Sequence, residues 1–442
     1  MTSVVYTTHR FFLIIDKVFV SRYNFYCVIK RHVVHYCNAK KGGFKVNLFK
    51  HKLVVLSPII ALAVIFIFSL ALLPSVHSQP KNIPIAVVNE DQGAQVPNQP
   101  KLTLGENIVK KIQKTSEKDK DPVVRWINVN SVKQAEKGLD EQKYYAALIL
   151  PQDFSIKQVS LQTPAPSSPE VKIMINEGMN MAASTLSGQI LNGVVDHMND
   201  TVRLQLLKGY EAKGDQLTVE QATALASPIA KKVISVHEVG PHSANGNAPV
   251  SLFQPLWMAS LASAAIIFIA VRKRFNRNRK ENIYNKISQI VIGAVISLFV
   301  GFGFTWLADH MIGLDIPQFM DTALFLAITC FSFYLLISAV LSLLGLKGIP
   351  IFALLLFFGA PLLALAPEMM SPFYQDWVYP WLPMRFMVAG LRNQFFFGEG
   401  LTWSGPVSVL VWIGIVSMFM ILVTALRSGA SKGKANIKIE EA

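Results

Sequence analysis

Six long runs free of charge through their centres constrain this chain more than any other feature. A bilayer's hydrocarbon core takes roughly 20 apolar helical residues to cross. The runs lie near Leu53–Leu73, Ser251–Val271, Ile287–Ala308, Thr322–Gly345, Gly348–Ala366 and Val407–Leu426. Buried helices of a soluble core do not supply so many uncharged runs, and 52% hydrophobic content with 28 Phe in 442 residues points the same way. The expected fold class is a polytopic α-helical membrane protein with six transmembrane helices, arranged 1 + 5. The fourth and fifth runs are nearly contiguous, which predicts a tight hairpin.

The distribution of Lys and Arg sets the orientation. Residues 1–52 hold ten basic side chains against one acid, Asp16, and "RKRFNRNRKENIYNK" (272–286) holds seven against one. Lys347 lies in the hairpin, and Arg427, Lys432, Lys434 and Lys438 follow the sixth run. With six alternating spans, all these segments fall on one side. Residues 74–250 carry 18 basic and 18 acidic groups and fall on the other, with Asp309, Asp315 and Asp321. Both termini are thus expected in the cytoplasm and residues 74–250 outside. The net charge of +14 then reads as a topology signal, with anionic lipid headgroups as neighbours. Nucleic acid is not an expected partner, because the basic residues are flanked by spans.

Between the first two runs the pattern changes to alternating strands and helices. "IPIAVVN" (83–89), "VVRWINV" (123–129), "YYAALILP" (144–151) and "VKIMIN" (171–176) read as strands. "LGENIVKKIQK" (104–114) reads as a helix with Leu104, Ile108 and Ile112 on one face, and Ser131 is placed to N-cap another. A Pro/Ser-rich loop follows over 160–170, then helices are expected over about 180–208 and 216–235, and "GPHSANGNAP" forms a linker. This is an α/β domain tethered by two membrane helices. Cys27, Cys37 and Cys330 all lie outside it, so it has no disulfide framework.

Signatures of chemistry are weak. His197, His237 and His242 form no HExxH arrangement, and no GxSxG occurs. "CVIKRHVVHYC" has C-x4-H-x2-H-x-C spacing, which matches no standard zinc pattern. The turn after the first strand, Asn89, Glu90, Asp91 and Gly93, suits a chain leaving a sheet better than a metal or catalytic site. No catalytic, cofactor-binding or metal residues are therefore assigned. Residues 1–45 read as an extension: "KKGGFKV" fits a ribosome-binding sequence just upstream of a GTG start, with translation beginning at Val46.

Several local patterns together carry a resemblance: "IAVVNEDQGA", "LGENIVKKIQ", "WINV", "KYYAALILPQDFS", "INEGMNMAAS" and, late in the chain, "PWLPMRFMVAGLRNQFFFG". They resemble the Pip/YhgE phage-infection-protein family, short form, within the permeases of type-2 ABC exporters. The resemblance runs from about Lys45 to Arg427. The long members' larger helical outward region has no counterpart here, so roles assigned to that region, such as phage adsorption, are not carried over.

The resemblance implies a cytoplasmic lead and first span over 46–73 and an extracellular domain over 74–250. A five-helix permease domain would cover 251–426, with a re-entrant segment near 380–400 and a cytoplasmic tail over 427–442. It also implies a separate ABC ATPase as partner, holding ATP and Mg²⁺, and a homodimer or heterodimer of permeases. Arg272, Lys273, Arg274, Arg277, Arg279 and Lys280 become the expected coupling segment. Pro383, Arg385, Gly390 and Arg392 become the expected outer gate. The residues agree on the energy source. The runs lack ionisable side chains in their apolar centres, which disfavours proton coupling. "GASKGKA" (429–435) has the wrong spacing for a nucleotide loop and lacks the hydroxyl that would hold Mg²⁺. The chain is not read as an enzyme. Its expected role is to move a hydrophobic or amphiphilic cargo outward through a bacterial plasma membrane. The competing role is a non-transporting surface receptor or a scaffold of a secretion or envelope complex.

Overall fold

A computed structural model describes residues 52–70, 73–76, 78–97, 100–117, 120–213, 217–272 and 279–427. The expected extension over 1–45 with its Cys/His cluster, the coupling-segment residues Lys273, Arg274 and Arg277, and the 429–435 string lie outside the described residues. The chain divides into two units, 1–65 and 66–442. Helix α1 (Lys52–Leu70) begins in the first and ends in the second. All packing described below lies within 66–442.

The α/β domain is built on five strands: β1 (Ile83–Asn89), β2 (Val124–Val129), β3 (Ala146–Leu150), β4 (Glu170–Asn176) and β5 (Ala230–Val236). Their order is β2-β1-β3-β4-β5, parallel except for the β3–β4 pair. Helix α2 (Leu104–Glu117) connects β1 to β2, and α3 (Val132–Asp140) connects β2 to β3. These two crossovers run in opposite directions along the sheet. Right-handed connection therefore sends their helices to opposite faces. Leu104, Ile108 and Ile112 of α2 pack on the Ile85, Val87 and Leu148 face, whereas Ala135 and Leu139 of α3 pack on Ala86, Val88 and Ile149. Cover on both faces explains why β1 and β3 read as continuous apolar runs. Ser131 accepts a hydrogen bond from Gln134 N and caps α3, as its position predicts.

Helix α4 (Phe154–Ser160) follows β3, α5 (Met181–Lys213) follows β4, and α6 (Val219–Ala226) precedes β5. The helix expected over 216–235 is a correction: only α6 is helical there, and 230–236 is a strand paired with β4. Pro228 ends the helix, and Val233, Ile234 and Val236 favour the extended chain.

The second half is a helical bundle of α7 (Phe253–Arg272), α8 (Arg279–Trp306), α9 (Phe319–Leu344), α10 (Ile349–Ala364), α11 (Met384–Phe396) and α12 (Gly405–Arg427). Among the described residues, four helical segments are long and apolar enough to cross a membrane: Ala248–Arg272, Lys280–Ile312, Phe319–Ala364 and Gly405–Ala425. The third contains both α9 and α10, joined by a 3₁₀ turn at Gly345–Gly348. Gly345 sits at φ +65°, a conformation that favours glycine.

Helix α9 is the bundle's centre, with Phe325, Cys330, Phe333, Tyr334 and Leu341 buried. Gly293 and Gly301 of α8 admit it closely. A Cβ at Gly293 would collide with the Tyr334 ring, and one at Gly301 would lie 2.6 Å from Ala327. Trp257 locks α7, α9 and α10 together, its ring 4.9 Å from Phe333 and its indole donating to Phe352 O at 3.1 Å. By contrast Ile266, Phe299 and Phe419 stand exposed on the outer faces of α7, α8 and α12. An apolar surface of that kind suits a lipid environment.

Candidate functional site

The α/β domain and the bundle meet at a collar, residues 364–400, which carries the sequence-predicted gate. Helix α11 lies against α9, with Met384, Met387, Val388 and Leu391 buried. Pro383 is buried at its N-terminus. Gly390 is required by close approach, since a Cβ there would collide with the Phe325 ring. Gln394 is buried and accepts from Thr322 Oγ1 of α9 at 3.1 Å. The collar is thus held to the bundle.

It is held equally to the α/β domain. Tyr145, at the start of β3, donates through its hydroxyl to Glu368 at 2.9 Å. Burial, with the Glu368 carboxylate beside it, pushes the Tyr145 phenol well above its ordinary range, so it stays protonated. Gln142 Nε2 donates to Asn393 Oδ1 at 2.9 Å, and Asn180 Nδ2 to Ala364 O at 3.2 Å. Lys81 N donates to Glu368 O at 2.8 Å. The His237 ring lies 4.4 Å from Phe397, and a Cβ at Gly178 would lie 2.7 Å from Phe396. The "INEGMNMAAS" segment therefore supplies a docking surface.

Arg385 and Arg392 occupy this collar. The Arg385 guanidinium lies 4.5 Å from the Phe386 ring centre and 5.5 Å from that of Tyr379, within cation–π range. Arg392 lies near enough to Tyr145 and Tyr379 to act on both electrostatically. The Nε atoms of both arginines are buried without a hydrogen-bond partner. Trp377, Trp381 and Trp403, in and just beyond this stretch, are exposed, in the manner of an interfacial aromatic belt.

The acidic turn is housed differently. Asp91 Oδ1 accepts from Gly93 N at 3.2 Å and Ser155 N at 2.9 Å, and Oδ2 accepts from Gly105 N at 3.0 Å and Ser155 Oγ at 2.5 Å. Ser155 Oγ in turn accepts from Leu104 N at 2.9 Å. Glu90 accepts from Val132 N at 3.2 Å. These two carboxylates serve the first-turn N–H groups of α2, α3 and α4, positions that favour an anion. The turn lies at the carboxyl end of β1, between β2 and β3, where open α/β sheets commonly bind ligands. Here the chain's own acids fill that place. Asn89 Oδ1 accepts from Asp91 N at 3.3 Å, and Gly93 has φ +75°. Among the described residues, no group of three or more His, Cys, Asp and Glu could hold a metal.

At the opposite end of the bundle, Arg272 and Lys280 are exposed and bracket the segment that includes Lys273, Arg274 and Arg277; α8 begins at Arg279. The third run, expected from Ile287, is a correction at its start: the helix already begins at Arg279, and Asn282 and Lys286 of the basic 272–286 stretch lie on α8 and are buried. Lys286 Nζ donates to Ser342 Oγ at 2.8 Å and Gln289 Oε1 at 3.2 Å. An ionisable group thus lies buried inside the candidate span Lys280–Ile312, near its end and outside the apolar centre. Its polar partners on α8 and α9 are what make that burial tolerable. Sequence reasoning does not find Tyr145, Glu368 or Lys286. Glu368, an acid two residues beyond the end of the fifth apolar run, is the available signal.

Residues 53–426 match the family described as ABC-2 family transporter protein. The chain is 28% identical over 126 residues to "Uncharacterized protein YhgE" of Bacillus subtilis (strain 168), a match covering 28% of this chain and 15% of that protein's length. It is also similar to a crystal structure of a domain of a candidate ABC type-2 transporter from Thermotoga maritima MSB8. The identity there is 18%, covering 34% of this chain and 84% of that one, with a TM-score of 0.23. On the extent of the family match, the chain belongs to the ABC-2 family of transporter proteins.

Proposed function

We propose that this chain is the membrane-spanning permease subunit of an ABC-type exporter. It moves a hydrophobic or amphiphilic cargo outward, driven by a separate ATPase that binds ATP and Mg²⁺. The observation that carries the reading is the family match across both the α/β domain and the helical bundle. In this reading the chain crosses a bacterial plasma membrane six times. Both termini and the 272–280 segment are cytoplasmic, residues 74–250 lie outside, and two permeases form the pathway. Arg272, Lys273, Arg274, Arg277, Arg279 and Lys280 meet the ATPase, and the collar with Arg385 and Arg392 forms the outer gate. Docking of the α/β domain on that collar supports a shared movement of the two.

Affinity purification of the chain from its own membranes tests the partnership. The expected result is co-purification of an ABC ATPase. Reversing Arg272 and Lys280 to Glu is expected to lower the recovered ATPase at least fivefold without changing insertion. Recovery of envelope proteins alone, with no ATPase, would favour the scaffold or receptor.

A further inference from the structure

At the end of the bundle away from the collar, α7, α8, α9 and α12 line a cavity of about 530 Å³. The volume is within the roughly 300–1,000 Å³ of small-molecule sites. Each of the four candidate spans ends or turns here. The first ends at Arg272, the second begins at Lys280 and carries Lys286, the third turns at Gly345–Gly348, and the fourth ends just beyond Thr424. A cavity at that level lies where a bilayer places its headgroups and the first carbons of its acyl chains. Its lining suits both: Phe268, Val271 and Leu341 are apolar, whereas Arg272, Lys286 and Lys347 are cationic.

The charge is one-sided. Among the described residues, the lining holds no Asp or Glu, and neither Arg272 nor Lys347 makes an ion pair. Both are exposed, so their charged ends are open to a ligand. Lys286 is buried, and its Nζ donates to Ser342 Oγ and Gln289 Oε1, neither of them charged. It acts on the cavity through its field and through Ser342, which also lines it. Because Ser342 Oγ accepts from the ammonium, its own proton is left to donate to another acceptor. The positive-inside trend asks for basic residues at this end of the spans. It does not ask that three of them share one cavity, or that one be buried.

From the three cations, the Ser342 donor and the level of the cavity, we infer that this cavity binds the phosphate head of an anionic phospholipid. Phosphate oxygens pair with Arg272 and Lys347 and accept from Ser342 Oγ, and the start of an acyl chain lies against Phe268 and Leu341. Basic pockets between membrane helices hold anionic lipid heads in this way. A choline or ethanolamine head is disfavoured, because the lining offers its ammonium no carboxylate. The site rests on the reading of these helices as membrane spans, and not on transport or an ATPase.

Photolabelling tests it on the full chain in phosphatidylcholine nanodiscs. The probe is a phosphatidylglycerol with a diazirine near the carbonyl of one acyl chain, and adducts are located by peptide mass spectrometry. Adducts are expected on 268–272 and 341–347, displaced by unlabelled phosphatidylglycerol far more readily than by phosphatidylethanolamine. Removing an exposed cation should cut these adducts roughly fivefold per residue. Lys347→Gln alone tests one such step, and Arg272→Gln combined with it tests both. Lys347→Arg should keep the adducts, and labelling elsewhere on the membrane helices should persist in every variant. Equal displacement by phosphatidylethanolamine would overturn the inference, as would labelling indifferent to both substitutions. Displacement by inorganic phosphate at the same concentrations would overturn it in favour of a soluble anion. Lys347 lies outside the segment proposed to meet the ATPase. If Lys347→Gln lost the ATPase but kept the adducts, the cavity would belong to the subunit interface and the lipid site would be overturned. Failure of labelling in a chain that still inserts would overturn the site and leave the transport reading standing.

Discussion

At the carboxyl end of β1, both oxygens of Asp91 are engaged by neighbouring N–H and O–H groups. At the collar, Arg385 and Arg392 keep buried Nε atoms with no hydrogen-bond partner. In sequence the first cluster reads as a turn leaving a sheet and the second as an outer gate. The contrast teaches that a charge saturated by its own chain contributes to the fold, whereas a buried charge left partly unsatisfied costs stability. The acidic turn belongs to the first kind. The collar arginines belong to the second, and they sit where two halves of the molecule touch.

Four substitutions sharpen or break that comparison, in decreasing order of expected effect on thermal unfolding of the full chain in detergent. Asp91→Ala should be the most damaging, at about 3 kcal/mol or more, because it strands the first-turn donors of α2 and α4. ATP turnover per folded molecule with the partner ATPase should stay unchanged. A selective loss of turnover would move the turn into the functional class.

Gly390→Leu should cost about 1–3 kcal/mol by overpacking against Phe325, and should loosen α11 from α9. Limited proteolysis of the collar would show it as faster cleavage within 384–397. A collar cleaved at the wild-type rate would contradict the tight packing at Gly390.

Tyr145→Phe should cost about 1 kcal/mol near neutral pH by removing the bond to Glu368. The raised Tyr145 pKa adds a pH signature with a definite sign. The group's contribution is complete below the unfolded pKa of about 10 and is lost as pH rises through the higher folded value. A melting-temperature series should therefore fall less steeply above pH 10 in the variant than in the wild type. Parallel curves would break the proposed docking contact.

Arg392→Met should change stability least, by under about 1 kcal/mol in either direction, since an apolar isostere replaces a poorly satisfied buried charge. Its predicted consequence is functional: cargo-stimulated ATP turnover should fall about tenfold. Strong destabilisation with normal turnover per folded molecule would place Arg392 beside Asp91 instead.

Much of the fold is legible in the sequence because local chemistry and tertiary context agree. The β-branched run at 83–89, the Leu104–Ile108–Ile112 face and the Ser131 cap all specify what the chain builds. The strand at 230–236 is hidden by Lys231 and Lys232, tolerated because β5 is an edge strand with those side chains exposed. The site is less legible because its contacts join residues far apart in the chain. Tyr145 and Glu368 are separated by 223 positions, and Gln142 and Asn393 by 251. Lys286 looks like the end of a loop because nothing local shows that Ser342 of α9 waits beside it.

The central claim is that the chain is a transporter subunit whose collar serves an ATP-driven cycle. The most direct measurement is ATP turnover by the chain and its co-purified ATPase in proteoliposomes, with wild type and Arg392→Met compared at equal incorporation. The account predicts turnover stimulated by amphiphilic cargo in the wild type and about tenfold less stimulation in the variant. Turnover indifferent both to cargo and to the substitution would contradict it.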